Sequence, residues 1–177
     1  MPEIPADYRA LEASEEKPRP GAKRIGPADP GEVFTVSVRV RRRPDAPPLP
    51  DVADFAATPR RARQQLSRED FAARYGASEE DLEKITRFAR AHGLEVVESS
   101  IPRRTVVLKG TAAQMSQAFA VDLGRYEGAE GTYRGREGAV HVPSDLAGIV
   151  EGVFGLDNRP IAKPRSISTL PAQPLQG

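Results

Sequence analysis

An α+β fold, an antiparallel sheet with its helices packed on one face, is predicted by three observations. Residues 32–43 alternate, with Phe34, Val36, Val38 and Val40 on one side and Thr35, Ser37, Arg39 and Arg41 on the other, the period of a half-buried strand. Residues 78–93 put Leu82, Ile85, Phe88 and Ala89 on one helical stripe between a Ser and a Gly. Residues 94–109 contain two β-branched runs on either side of Pro102, which should pair as a hairpin.

The elements follow in order. Residues 1–31 are rich in Pro, Glu, Lys and Gly and carry hardly any large apolar side chain, so they are expected to be disordered. The core is expected over residues 32–158. Residues 44–66 form a long Pro- and Arg-rich connection inside it, since four prolines in residues 44–50 cannot continue a central strand. Residues 51–66 are expected to be partly helical, with a break near Pro59. Two capping boxes, Ser67 with Asp70 and Ser78 with Asp81, begin the next helices. The first should bury Phe71, Ala72 and Tyr75 before Gly76, and the second should end at Gly93.

Thr111 caps a third helix, with Ala112, Met115, Ala118 and Phe119 on its buried side. A strand around Val121 and Leu123 leads into a glycine-rich hairpin over residues 124–138. Residues 139–142, a short helix after Pro143 and a strand at residues 153–156 close the domain. The order strand, helix, strand, strand, helix, strand is that of a ferredoxin-like sheet. Two helices cover only one face of such a sheet. The other, carrying Thr35, Ser37, Arg39, Arg41, Thr105 and Val107, is either a solvated polar face or the surface that meets a partner.

Composition limits the functions. Among 177 residues, 17 prolines, 15 glycines and a 38% hydrophobic share leave a packed core of about 110 to 130 residues. A net charge of +1 gives no overall field for nucleic acid or anionic membrane. No basic leader with an apolar stretch opens the chain, and no run of about 18 apolar residues crosses it. The absence of cysteine excludes thiolate metal sites and a cysteine nucleophile.

Catalytic groups are equally scarce. His92 precedes Gly93, where an imidazole serves the last carbonyls of a helix, and His141 sits in a short strand. Neither has a second ligand at metal-binding spacing, so no metal and no cofactor is expected. The stretch at residues 124–131 lacks the Gly-Lys-Ser/Thr ending of a phosphate cradle and reads as a turn. Seven arginines between residues 39 and 63 face three aspartates, but Phe55 is the only aromatic there, so an acidic protein partner fits better than nucleic acid.

One family does match. Val36-Ser37-Val38-Arg39-Val40-Arg41-Arg42, Arg68-Glu69-Asp70-Phe71-Ala72-Ala73, Tyr75-Gly76-Ala77-Ser78, Phe88-Ala89-Arg90-Ala91-His92-Gly93-Leu94, Gln117-Ala118-Phe119, Gly131-Thr132-Tyr133-Arg134 and Val153-Phe154-Gly155-Leu156-Asp157 occur in one collinear series. Over roughly residues 32–165 the series resembles the activation prodomain of the sedolisin, kumamolisin-like, serine-carboxyl peptidases. The resemblance implies a subtilisin-propeptide-like fold acting as intramolecular chaperone and active-site-blocking inhibitor of a subtilisin-like catalytic domain, normally in the same polypeptide. It also implies an extracellular setting and removal by autoproteolysis in acid. The family's Ser, Glu and two Asp, and its bound calcium, belong to the catalytic domain, so this chain is expected to hold no catalytic residue, no metal and no enzyme activity.

The tail suits that role. Beyond Asp157 no acidic residue occurs, Arg159, Lys163 and Arg165 are basic, and Pro160, Pro164, Pro171 and Pro174 favour extended chain. Residues 159–177 are therefore expected to be an extended linker. Ala162, Lys163, Pro164, Arg165, Ser166 and Ile167 are the expected cleft-binding stretch, pairing by main-chain hydrogen bonds. The processing position by resemblance is Pro164-Arg165-Ser166, although the family carries a His and an aromatic where Arg165 and Ser166 stand. The alternative is a free-standing ferredoxin-like module that binds a protein or peptide. An in-frame continuation containing Ser-Gly-Thr-Ser would select the prodomain.

Overall fold

A computed structural model describes residues 3–49, 51–57, 61 and 66–159. Its centre is a four-stranded antiparallel sheet of β3 (Val33–Val40), β4 (Glu95–Ser100), β5 (Thr105–Thr111) and β9 (Val150–Phe154), in the order β4-β5-β3-β9. The helices α3 (Glu79–Ala91) and α4 (Ala112–Ala118) complete the sequence β3, α3, β4, β5, α4, β9. That connectivity and strand order make the fold ferredoxin-like.

Alternation directs the core. Val36, Val38 and Val40 of β3 and Val106 and Leu108 of β5 are all buried, because antiparallel pairing of Val38 with Val106 and of Val36 with Leu108 stacks them on one face. On that side α3 contributes Leu82, Ile85, Phe88 and Ala89, and α4 contributes Ala112, Met115 and Ala118, with Phe119 following. The α4 start is a complete capping box: Gln114 donates its amide to the Thr111 hydroxyl, and the Thr111 amide donates to the Gln114 side chain. The α3 end is a Schellman motif, with Gly93 donating to Arg90 and Leu94 to Ala89.

Four expectations are corrected. Residues before 32 are not a disordered lead-in: β1 (Tyr8–Ala10) pairs with β8 (His141–Pro143), and β2 (Lys23–Pro27) pairs with β6 (Leu123–Gly128). Tyr8, Leu11 and Ala28 are buried, so sparse apolar residues suffice when the segment adds strands to existing edges. The core thus reaches back to Tyr8. Second, the hairpin of β6 and β7 (Gly131–Arg136) stays outside the main sheet. It forms a separate sheet, β2-β6-β7, inserted in the chain between α4 and β9.

Third, in α2 (Arg68–Tyr75) only Tyr75 is buried. Phe71 is exposed and stacks at 5.2 Å on Tyr75 instead. Fourth, Ser78 makes no side-chain cap bond, and the Asp81 carboxylate is taken by Arg41, whose Nε donates to it over 2.8 Å. By contrast Ser67 does accept the Asp70 amide. The expected helices at residues 51–66 and after Pro143 are α1 (Val52–Ala57) and α5 (Ser144–Ala147). Pro59 lies outside the described residues.

Candidate functional site

The uncovered face of the main sheet is built by the residues between the core positions. Opposed residues of an antiparallel pair share a face, so the register sets out three rows. Phe154, Ser37, Val107 and Glu98 form one; Gly152, Arg39, Thr105 and Ser100 a second; Thr35, Lys109 and Glu95 a third. Val33 extends the same face at the β3 end. Thr35, Ser37, Arg39, Thr105 and Val107 therefore do come together as the sequence suggested.

Arg41 does not join them. Its guanidinium is bidentate on the buried Asp81 at the start of α3, and this hydrogen bond, opposed by some burial, raises its pKa. Arg43 is likewise used internally, on Asp45 and on the Ala73 carbonyl. Two of the seven arginines between residues 39 and 63 are thus paired within the chain; Arg60 and Arg63 lie outside the described residues. Arg39 is the arginine that stays on the face, half-exposed, donating to the Arg103 carbonyl at 3.3 Å and 3.8 Å from Glu151.

Sequence reasoning placed Val107 on this face but missed Phe154 and Val33. Phe154 is 62% exposed and Val33 56%. The Phe154 ring folds back over Gly152, where a Cβ would meet its Cζ at 2.9 Å. The available signal was parity: with Val153 inward, Phe154 must point outward.

The second feature is the place where the chain leaves the domain. Gly155 adopts φ +97°, and a Cβ there would lie 2.9 Å from the Thr35 carbonyl, so the turn out of β9 requires glycine. Leu156 then buries its side chain. Arg134, only 6% exposed, holds this stretch: Nε donates to the Leu156 carbonyl at 3.0 Å, another N–H donates to Gly155, and a third pairs with Glu32. Its guanidinium also lies 3.5 Å from the Phe34 ring centre. Burial lowers the Arg134 pKa, with Glu32 and Asp157 pulling the other way. Asn158 completes the attachment, donating its amide to the Arg134 carbonyl at 3.0 Å while its side chain accepts the Arg134 amide at 2.6 Å.

His92 serves structure. His92 Nδ1 lies 3.0 Å from the Phe88 carbonyl, which can only accept; Nδ1 therefore carries the proton and Nε2 accepts from the Tyr8 hydroxyl at 3.1 Å. His141 is half-buried in β8. Among the described residues no His, Cys, Asp and Glu group is arranged to hold a metal, and no helix is long and apolar enough to cross a membrane. The linker residues Ala162, Lys163, Pro164, Arg165, Ser166 and Ile167 lie outside the described residues.

With this geometry in hand, the comparisons are decisive. Residues 20–159 match the family described as Pro-kumamolisin, activation domain. The chain belongs to this activation-domain family. It is 39% identical over 145 residues to kumamolisin of Bacillus sp. (strain MN-32), a match covering 82% of this chain and 26% of that protein. It is 32% identical over 164 residues to tripeptidyl-peptidase sed5 of Aspergillus fumigatus (strain ATCC MYA-4609 / CBS 101355 / FGSC A1100 / Af293), covering 84% of this chain and 28% of that one. The chain thus spans about a quarter of the length of these relatives. A Ser-Gly-Thr-Ser run is absent from it, and the spacing Glu-x-x-x-Asp occurs once, at Glu3 and Asp7. Asp7 directly precedes β1, and its carbonyl accepts from the Ser144 amide.

Proposed function

We propose that this activation domain is the prodomain of a secreted, acid-activated serine-carboxyl peptidase, serving as chaperone and inhibitor of a subtilisin-like catalytic domain in the same polypeptide. The observation that carries this reading is the uncovered sheet face. Val33, Val107 and Phe154 sit there among Thr, Ser and Arg, with no helix of the described chain laid over them. Exposed apolar side chains set among polar ones are what a protein partner can bury. Family membership supplies the partner.

The linker, beginning where Arg134 and Asn158 release the chain, then runs as extended strand through the catalytic cleft, with Ala162 to Ile167 in it and the scissile bond near Pro164-Arg165-Ser166. Cleavage there removes the prodomain. Arg39 is the candidate for acid sensitivity: paired with a carboxylate of the catalytic domain, it would depress that group's pKa, and the stabilisation present at neutral pH is lost as pH falls through the depressed value.

Full-length chain added to an isolated sedolisin catalytic domain is expected to inhibit it. Replacing residues 162–167 by Gly and Ser should weaken that inhibition, and affinity should decline between neutral pH and about pH 4. Full activity at micromolar chain would contradict the reading.

A further inference from the structure

The N-terminal segment that precedes the family match makes a set of bonds that converge on the last matched residue. Leu11 donates its amide to the Val140 carbonyl at 2.8 Å, and the Ser14 hydroxyl accepts the Val140 amide at 3.0 Å. Glu16 and Gly138 exchange both amide bonds, at 3.1 and 2.9 Å. From below, Arg136, itself buried, donates to the Ser14 carbonyl at 2.8 Å and also to that of Gly138. Residues 11–16 are thereby sewn along residues 138–140, between β7 and β8. What this positions is the Glu16 carboxylate, which pairs with the Arg159 guanidinium, while the neighbouring Lys17 carbonyl accepts from the same group at 3.3 Å.

Arg159 is also tied from its own side. Its amide donates to Asp157 Oδ1 at 2.7 Å, and its Nε pairs with the other oxygen of that carboxylate. Two guanidiniums, Arg136 and Arg159, thus stand with two carboxylates, Glu16 and Asp157, at one end of a cleft of about 580 Å³ beside β9. Although burial opposes it, the Asp157 hydrogen bond and the Glu16 charge raise the Arg159 pKa. Arg159 is the last residue that the structure describes.

We propose that Glu16 is a positioning residue for the linker: residues 11–17 are a strap that, through Arg159, fixes where and in which direction the chain departs for the catalytic cleft. The proposal rests on the inhibitory reading above. Its physical basis is that a tail launched from a fixed point has less freedom to lose on entering the cleft, and so a higher effective concentration there, than one launched from a loose end. Glu16 acts through Arg159.

Two readouts on the full chain test it. In Glu16→Gln, amide exchange of Asn158 and Arg159 should accelerate at least tenfold, while the amides of β3 and β5 keep their rates. In inhibition assays, Glu16→Gln should weaken the chain at least fivefold with the native linker, but less than twofold when residues 162–167 are replaced by Gly and Ser, a coupling that a purely structural role would not produce. Unchanged exchange at residues 158 and 159, or equal weakening with both linkers, overturns the proposal. If the unmutated chain fails to inhibit, the inhibitory reading falls and the linker-positioning role with it; exchange still decides whether the strap holds residue 159.

Discussion

Val107 and Leu108 are adjacent in β5, pair with adjacent residues of β3, and live in different worlds. Leu108 is fully buried against Val36 and Val96 of the flanking strands, with α3 and α4 over it, while Val107 lies between Ser37 and Glu98 on a face that no described helix covers. The same strands and hydrogen bonds support both. The difference teaches that the covered face stabilises the domain and that the open one is free to carry its function, so substitutions on the two faces should fail in different assays.

The largest effect is expected on the covered side. Leu108→Ala should cost about 2–5 kcal/mol, the range for a buried Leu that leaves a cavity, seen as a lower urea midpoint at unchanged slope. Val107→Ala should move that midpoint far less. Comparable losses at the two positions would remove the distinction between the faces.

Next in size is the effect of charging the open face. Phe154→Asp should leave the melting temperature within a few degrees, yet weaken binding to the catalytic domain roughly 10- to 100-fold, as truncation of an apolar anchor at an interface does. Calorimetric titration reads the affinity. A large loss of stability with unchanged binding would assign Phe154 to the fold instead.

The smallest effect lies away from both faces and sharpens the comparison by showing how acid acts without a partner. Asp122 accepts two hydrogen bonds from Arg24, which holds β2 beside β6, and that bonding lowers its pKa below the ordinary 3.8. A depressed carboxylate gives stability that is present above the unfolded value and lost as pH falls through the folded one. Both groups are partly exposed, so Asp122→Asn should cost below about 1 kcal/mol at pH 7. The difference from the unmutated chain should shrink as pH falls below the ordinary carboxylate range in melts recorded across pH. A difference that persists in acid would mean that packing, not charge, is what Asp122 supplies.

Much of the main sheet was legible because its signals are local. Period two in β3, the stripe of Leu82, Ile85, Phe88 and Ala89, and the Thr111 box each specify an element within about a dozen residues. The extra sheets were not legible. β1 and β2 gain their order from partners more than 90 residues away, β8 and β6, and no periodicity of their own announces them. Of the open face, Thr35, Ser37, Arg39, Thr105 and Val107 followed from alternation. Arg41 was misplaced because its position suggested the face whereas Asp81, 40 residues on, captured its side chain. Arg134 and Arg159 escaped for the same reason: a single arginine in sequence gives no sign that carbonyls and carboxylates from distant segments will surround it.

The central claim is that the open face meets the catalytic domain. Chemical labelling of lysines and carboxylates tests it most directly, since Lys109, Glu95 and Glu98 lie on that face and Lys84 lies on α3, against the opposite one. When the chain is mixed with its catalytic domain at neutral pH, Lys109, Glu95 and Glu98 should become protected while Lys84 labels as before; protection of Lys84 with Lys109 still reactive would contradict the account.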